Sequence, residues 1–163
     1  MITPEIGFAV INDTRFHFEQ AGSGVPLILL HGLGLNLHMW DEQFATFAAH
    51  YRVIRYDLRG FGLSLPSTPD AFSHTEDLKG LLDYFNIERA HVLGLSLGGR
   101  VALDFSLMYP NALDRLVLVD PALGGHRFSE DWLGLMAPIL QHGKNGDIAA
   151  AKRLWLAHPL FAP

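Results

Sequence analysis

The sequence contains no cysteine, which excludes a disulfide framework and a zinc site built from thiolates. The formal net charge is −5 at pH 7, and no basic stripe that would suit a nucleic acid is visible along the chain. The longest apolar run, residues 25–30, is far shorter than the ~20 residues that cross a bilayer. The N-terminus lacks the basic segment and apolar core of a secretory signal. These absences predict a cytoplasmic protein with neither a nucleic-acid nor a membrane partner.

Metal and cofactor motifs are missing as well. The nine histidines show no H-E-x-x-H motif or other ligand spacing. Residues 94–99 do not match the G-x-G-x-x-G pattern of dinucleotide-binding folds. We therefore predict no metal and no cofactor.

What the sequence does contain is an alternation of strand-like and helix-like segments. Residues 6–11 and 14–19 are strand-like and flank a turn signal, Asn-Asp, which predicts an antiparallel hairpin. Apolar runs typical of buried parallel strands then alternate with segments of helical periodicity; the runs are at residues 25–30, 51–57, 91–93 and 116–119. This order predicts an α/β fold with a mostly parallel sheet of about six strands and helices on both faces. Beyond Pro121 only helices are predicted.

One of these strands leads directly into the motif G-x-S-x-G, formed by Gly94, Ser96 and Gly98. A helical pattern follows, so the motif has the strand–turn–helix context of a nucleophile elbow. The serine of such an elbow lies on a strained turn, and a Cβ at either glycine would clash with the flanking strand or helix. This context favours a nucleophilic serine at position 96.

Two further motifs follow predicted strands: His-Gly-Leu-Gly at residues 31–34 and Asp-x-Arg-Gly-x-Gly-x-Ser at residues 57–64. With the elbow, their order and the strand before each of them make the chain resemble the α/β-hydrolase fold superfamily, and within it the serine esterases and lactonases. The resemblance covers the N-terminal portion of that fold and ends within a helical cap. It implies an incomplete α/β-hydrolase fold, with a core over residues 1–122 and a partial cap over residues 123–163.

The resemblance also implies roles for individual residues. Ser96 falls on the nucleophile, and the backbone N–H groups of Leu33 and Leu97 fall on the two donors of the oxyanion hole. The motif glycines around them are Gly32, Gly34, Gly94 and Gly98. His31 is expected to brace the oxyanion turn, and the turn that contains Asp57 is expected to be structural.

The acid and the base of a catalytic triad follow the nucleophile in this fold, in the order Ser, Asp or Glu, His. Asp120, at the end of the strand-like run 116–119, is the candidate acid; the alternative is that it caps a helix or lies in a loop. The histidines after Ser96 are His126, His142 and His158, and none of them follows a strand. In the resembled family the acid and the base follow later strands that this sequence lacks, so no complete triad is predicted.

A chain of this length would leave the strand at residues 116–119 as a sheet edge and would leave apolar helix surface uncovered. We therefore expect a homo-oligomer, or a complementing chain that carries the missing half.

The predicted function is hydrolysis of a small-molecule carboxylic ester or lactone through an acyl-enzyme at Ser96. Serine at the elbow argues against the dehalogenase and epoxide-hydrolase branches, which the resemblance implies would have a carboxylate there. Hydrolases of carbon–carbon bonds in diketones, enol-lactonases and perhydrolases remain open. The alternative is a catalytically inert half-fold, or assembly module, that oligomerises through its exposed sheet edge.

Overall fold

A computed structural model of the chain describes residues 3–64 and 71–159. The strands in this part of the chain are β1 (Glu5–Ile11), β2 (Thr14–Ala21), β3 (Pro26–Leu30), β4 (Arg52–Tyr56), β5 (Ala90–Leu95) and β6 (Leu113–Val119). They form a single sheet in the order β1-β2-β4-β3-β5-β6. β2 pairs antiparallel with β1 and β4, and the other pairs are parallel. The predicted mostly parallel sheet with an N-terminal hairpin is confirmed.

The helices are α1 (Asp41–Ala48), α2 (His74–Tyr84), α3 (Leu97–Met108), α4 (Glu130–Lys144) and α5 (Ile148–Leu156), with short 3₁₀ helices at Leu37–Trp40 and Pro110–Ala112. α2, α4 and α5 each begin after a residue whose side-chain oxygen accepts an N–H of the first turn: Ser73, Ser129 and Asp147. Such caps satisfy a backbone donor that the helix itself cannot pair.

The burial of β3 explains why its sequence does not alternate between apolar and polar residues. Ile28 and Leu30 belong to the core between the sheet and helices α2 and α3. Leu27 and Leu29 belong to a second core on the opposite face, together with Phe44 of α1. Because successive side chains of a strand point to opposite faces, both faces of β3 are buried, and helices cover both sides of the sheet as predicted.

The chain divides into two compact units, Met1–Gly124 and Gly125–Pro163. The first holds the sheet and α1 to α3, and the second holds α4 and α5, which pack against each other. The interpretation of the second unit as a helical cap stays a prediction. Across residues 3–64 and 71–159, no helix is long and apolar enough to cross a membrane.

Candidate active site

Ser96 lies between β5 and α3, where its φ and ψ are 51° and −107°. L-residues rarely adopt this conformation, which costs ~1–3 kcal/mol and persists only where the surroundings hold it. The Ser96 N–H donates to the carbonyl of Val119 at 3.0 Å. The Ser96 carbonyl accepts from the N–H groups of Arg100 at 2.9 Å and Ala122 at 3.0 Å. The strained serine is therefore held by β6, by α3 and by the loop that follows β6.

The two glycines of the elbow let backbone pack directly on backbone. A Cβ at Gly94 would lie 2.2 Å from the carbonyl oxygen of Gly98. A Cβ at Gly98 would lie 2.4 Å from the carbonyl oxygen of Leu30. Both distances are far below van der Waals contact, so β3, β5 and α3 meet here only because no side chain stands between them.

We expect Gly98→Ala to destabilise the protein by ~1–3 kcal/mol, because the added methyl group forces β3 or α3 to shift. Urea denaturation measures this as a loss in the free energy of unfolding. Gly134→Ala in α4 is the matched control, since a Cβ there meets nothing within 4 Å and alanine favours a helix by ~0.5–1 kcal/mol over glycine. Equal stability of the two variants would contradict the close packing at the elbow.

The turn after β3 reaches the same edge of the sheet as the elbow. β3 and β5 are parallel neighbours, so both chains leave the sheet side by side at their carboxyl ends. A Cβ at Gly32 would lie 2.8 Å from the side chain of Leu95, which places the turn beside the residue that precedes Ser96. The N–H of Leu35 closes the turn by donating to the Gly32 carbonyl at 3.2 Å.

Two backbone N–H groups near this edge have no hydrogen-bond acceptor among residues 3–64 and 71–124. Leu33 lies inside the turn, next to Gly34 with its φ of 74°, and its N–H donates to no atom of the residues that the structure describes. Leu97 is the first residue of α3, and the first N–H groups of a helix have no intrahelical acceptor. Leu33 is also 38% exposed. Their role as donors to an oxygen that becomes negative next to Ser96 stays a prediction.

His31 fixes the start of this turn. The residue is fully buried; its Nε2 accepts the N–H of Leu58 at 2.9 Å, and its Nδ1 donates to the carbonyl of Gly32 at 2.8 Å. Burial lowers the pKa of His31 from its usual 6.5. The ring is therefore neutral at pH 7, the form in which one nitrogen donates and the other accepts.

Acidification is expected to destabilise the protein through this ring. Because the folded-state pKa of His31 lies below its unfolded value of about 6.5, its contribution is complete above about pH 6.5 and is lost as the pH falls through the folded pKa. Burial lowers the pKa of His74 in the same direction. His31→Asn should flatten the pH dependence of the free energy of unfolding between about pH 7 and 5. His50→Asn, at an exposed histidine, is the control, and an unchanged slope in His31→Asn would contradict a neutral buried ring.

The charged residues of the 57–64 motif are themselves buried and hydrogen-bonded. Asp57 accepts the N–H groups of Leu37 and Leu63, both at 2.8 Å. Arg59 forms a bidentate pair with Asp77 at 2.6 and 2.8 Å. These contacts join the motif to the segment after β3 and to α2.

Asp120 ends β6 with a φ of 43°, in the left-handed region that aspartate tolerates better than most residues. The turn it makes brings the Ala122 N–H onto the Ser96 carbonyl. It also places Pro121 against Gly99, where a Cβ would lie 2.9 Å from the proline side chain. The Asp120 side chain is exposed and forms no hydrogen bond to residues 3–64 or 71–159. Its role as the acid therefore stays a prediction without a visible partner.

Two substitutions at Asp120 separate a turn residue from a catalytic acid. Asparagine keeps the tolerance for positive φ and alanine does not, whereas both remove the charge. We expect Asp120→Ala to lose ~1 kcal/mol or more of stability and Asp120→Asn to remain near wild type, as measured by urea denaturation. The reaction of Ser96 with a fluorophosphonate should be unchanged in Asp120→Asn. A rate that falls in both variants would instead favour the acid.

The three histidines after Ser96 all lie in the unit Gly125–Pro163. Each has a neighbour within that unit: His126 contacts Phe128, His142 contacts Asp147, and His158 contacts Trp155. None of the three directly follows a strand in the described residues, so no base is assigned among them.

Residues 25–158 match the family model described as the alpha/beta hydrolase fold. This chain belongs to the α/β-hydrolase-fold family. The match covers β3, the turn that follows it and the elbow at Ser96.

Relatives of this α/β-hydrolase chain have several activities. A 2-hydroxy-6-oxo-6-phenylhexa-2,4-dienoate hydrolase from Comamonas testosteroni is 35% identical over 127 residues, which are 73% of this chain and 44% of that protein. A soluble epoxide hydrolase from Corynebacterium sp. (strain C12) is 34% identical over 149 residues, which are 88% of this chain and 52% of that protein. The crystal structure of the enol-lactonase from Burkholderia xenovorans LB400 matches with a TM-score of 0.72 and 29% identity, over 85% of this chain and 55% of that one. This α/β-hydrolase chain thus spans about half the length of these relatives.

The sequence did not predict two contacts that hold the candidate site of this α/β-hydrolase chain in place. One is made by the loop after β6, whose Ala122 N–H holds the Ser96 carbonyl; an aspartate followed by proline at a strand end is a turn signal that points to it. The other is the contact of His17 with Asp57 at 3.1 Å. These two residues are 40 positions apart, and no local pattern links them.

Proposed function

We propose that this chain carries the nucleophile and the oxyanion donors of a serine hydrolase that acts on a carboxylic ester or lactone. The observation that supports this most directly is the strained elbow at Ser96, beside the unpaired N–H groups of Leu33 and Leu97. Strain of this kind concentrates at functional sites, because elsewhere a relaxed turn would be more stable.

In the proposed reaction, the Ser96 hydroxyl oxygen attacks the carbonyl carbon while a base takes its proton. The carbonyl oxygen becomes negative and accepts hydrogen bonds from the N–H groups of Leu33 and Leu97. The carbon–oxygen bond of the ester then breaks, and the leaving oxygen takes the proton from the base. A water molecule, deprotonated by the same base, attacks the acyl carbon. The bond from that carbon to the Ser96 oxygen then breaks, the Ser96 oxygen takes the proton back from the base, and the carboxylic acid is released. With a lactone, the leaving hydroxyl stays attached to that acid.

We propose that the base comes from outside these 163 residues, from a C-terminal half of the same polypeptide or from a partner chain. The share of about half that the chain covers of its relatives supports this, as does the absence of any strand after β6 in the described residues. Serine hydrolases without a triad member retain ~10³–10⁴-fold catalysis over water from the oxyanion hole and binding. The chain alone is thus expected to react weakly.

An ester or lactone fits this site better than an epoxide does. The elbow offers a hydroxyl at Ser96, where the epoxide-hydrolase branch is expected to carry a carboxylate. The enol-lactonase relative favours a lactone, and the dienoate hydrolase keeps carbon–carbon bond hydrolysis open as a related reaction. We also propose a cytoplasmic location.

The site at which a fluorophosphonate reacts tests this function. The protein is incubated with the reagent and digested, and each serine peptide is followed by mass spectrometry. We expect Ser96 to be modified well before Ser106, which lies in the same helix with its hydroxyl bonded to the Leu103 carbonyl at 2.6 Å. Modification of Ser96 no faster than that of Ser106 would contradict a nucleophile in this chain.

A second candidate function is an inert half-fold that assembles through its sheet edge. β6 forms one end of the described sheet, and Val117 and Val119 on it are exposed. Unpaired strand edges with apolar side chains favour association with another chain. An oligomer in light scattering together with an unreactive Ser96 would support this function, and a stable monomer at micromolar concentration would contradict it.

A further inference from the structure

We propose that Asp57 is a positioning residue for the oxyanion donor at Leu33. This inference rests on the proposed function, because it concerns the turn that would hold the negative oxygen. Asp57 does not touch that oxygen; it acts through the backbone of the turn.

The Asp57 carboxylate is 2% exposed and receives three contacts. Its Oδ1 accepts the N–H of Leu37 at 2.8 Å. Its Oδ2 accepts the N–H of Leu63 at 2.8 Å and lies 3.1 Å from His17 Nδ1. Two of the three partners are backbone groups from separate loops, so this one carboxylate joins the loop after β3 to the loop after β4.

The neighbouring arginines do not serve as the partner of this carboxylate. Arg55 pairs with Glu19 at 2.6 Å, and Arg59 pairs with Asp77 at 2.6 Å. Burying a carboxylate without such a cation is costly unless hydrogen bonds replace the lost water. The hydrogen bonds from the backbone N–H groups of Leu37 and Leu63 therefore stabilise the buried Asp57 carboxylate.

Two consecutive residues after β4 hold both ends of the segment 31–37. At its start, His31 Nε2 accepts the N–H of Leu58 at 2.9 Å. At its end, the N–H of Leu37 donates to Asp57. The proposed oxyanion donor lies between these two attachments, so its position depends on both.

The far side of the carboxylate is closed as well. Gly62 has a φ of 52°, and a Cβ there would lie 2.2 Å from Asp57 Oδ2. The carboxylate therefore has no room to swing away from Leu37 toward the 57–64 loop. This fixed placement is what a positioning residue needs.

Loss of this acceptor would release the end of the segment and let the Leu33 N–H move. A displacement of ~1 Å at a catalytic group can cost ~10²-fold in rate, and removal of one oxyanion donor costs ~10²–10³-fold. We therefore expect Asp57→Ala to slow fluorophosphonate labelling of Ser96 by ~10–100-fold.

Ser64→Ala is the matched control. Ser64 is buried in the same loop, and its Oγ accepts the N–H of His17 at 2.9 Å, so its loss removes a buried hydrogen bond that does not involve the segment 31–37. Labelling of Ser96 in this variant should stay near the wild-type rate. An equal slowing in both variants would overturn the proposal in favour of general loop damage.

Backbone amide exchange, followed by NMR, supplies a reading that does not depend on catalysis. In the wild-type protein we expect slow exchange at Leu37 and Leu58 and fast exchange at Leu33. Rapid exchange at Leu37 would overturn the proposal whether or not any variant folds. In Asp57→Ala, faster exchange should be confined to the segment 31–37 and to Leu63, whose N–H also loses its acceptor, whereas a merely structural role would also speed exchange in β3 and β5.

The labelling rate of Ser96 and the amide exchange pattern together separate this inference from the proposed function. If wild-type Ser96 does not react, the proposed function fails, and the exchange pattern still decides whether Asp57 holds the turn. If Leu37 loses protection in Asp57→Ala while labelling keeps its rate, positioning by Asp57 is wrong and the nucleophile stands.

Discussion

Ser96→Ala is expected to abolish fluorophosphonate labelling of the elbow, because the only atom of the site that can bond to phosphorus is the Ser96 oxygen. If the complementing half is supplied, hydrolysis of a p-nitrophenyl ester should fall by up to ~10⁶-fold in kcat, the loss seen when a triad serine is removed. The measurement is the rate of phosphonylation by mass spectrometry, and the rate of p-nitrophenol release in the complemented protein.

Ser106→Ala, in the helix that Ser96 precedes, controls for the loss of a nearby serine. Its hydroxyl bonds to the carbonyl of Leu103, and we expect its removal to leave labelling of the elbow unchanged. The fold should also survive Ser96→Ala, because the hydrogen bonds that hold the elbow come from the backbone of residue 96. A Ser96→Ala protein that is still labelled at the wild-type rate would show that the reactive group lies elsewhere.

The sheet was predictable because its signals are local. The apolar run that became β3 has no polar alternation, and both of its faces are buried. Ser96 was equally accessible to sequence reasoning, because the strand, the two glycines and the helix that shape its backbone all lie within about a dozen residues. Local spacing of this kind carries most of the geometry of an elbow.

The supports of the site were not predictable, because they join residues that are far apart in the chain. His17 and Asp57 meet across 40 positions, and Leu37 meets Asp57 across 20. Such pairs depend on the strand order, with β4 between β2 and β3, which composition and periodicity do not specify. The base is a separate problem, because no strand follows β6 in the described residues.

Asp77→Ala is expected to lower the free energy of unfolding by ~3–5 kcal/mol, the loss typical of breaking a buried ion pair at one partner. Asp77 is 2% exposed and accepts two hydrogen bonds from Arg59, which is 7% exposed. The hydrogen bonds to Asp77 raise the pKa of Arg59 above its already high ordinary value, and a guanidinium does not lose its proton in proteins. Without Asp77 the charge therefore stays buried; among the described residues the Thr14 hydroxyl and the Asn12 carbonyl remain as acceptors, and Asp13 remains as a nearby opposite charge.

Urea denaturation measures the loss, and a second pair on the same helix supplies the control. Lys79 and Asp83 form an exposed pair at 2.6 Å in α2, so Lys79→Ala should cost only ~0.3–0.5 kcal/mol. Replacing both Arg59 and Asp77 by leucine should recover much of the loss, because no unpaired charge remains in the core. If Asp77→Ala loses as little stability as Lys79→Ala, water reaches the Arg59 guanidinium. If the double leucine variant is no more stable than Asp77→Ala, the loss comes from packing rather than from the unpaired charge.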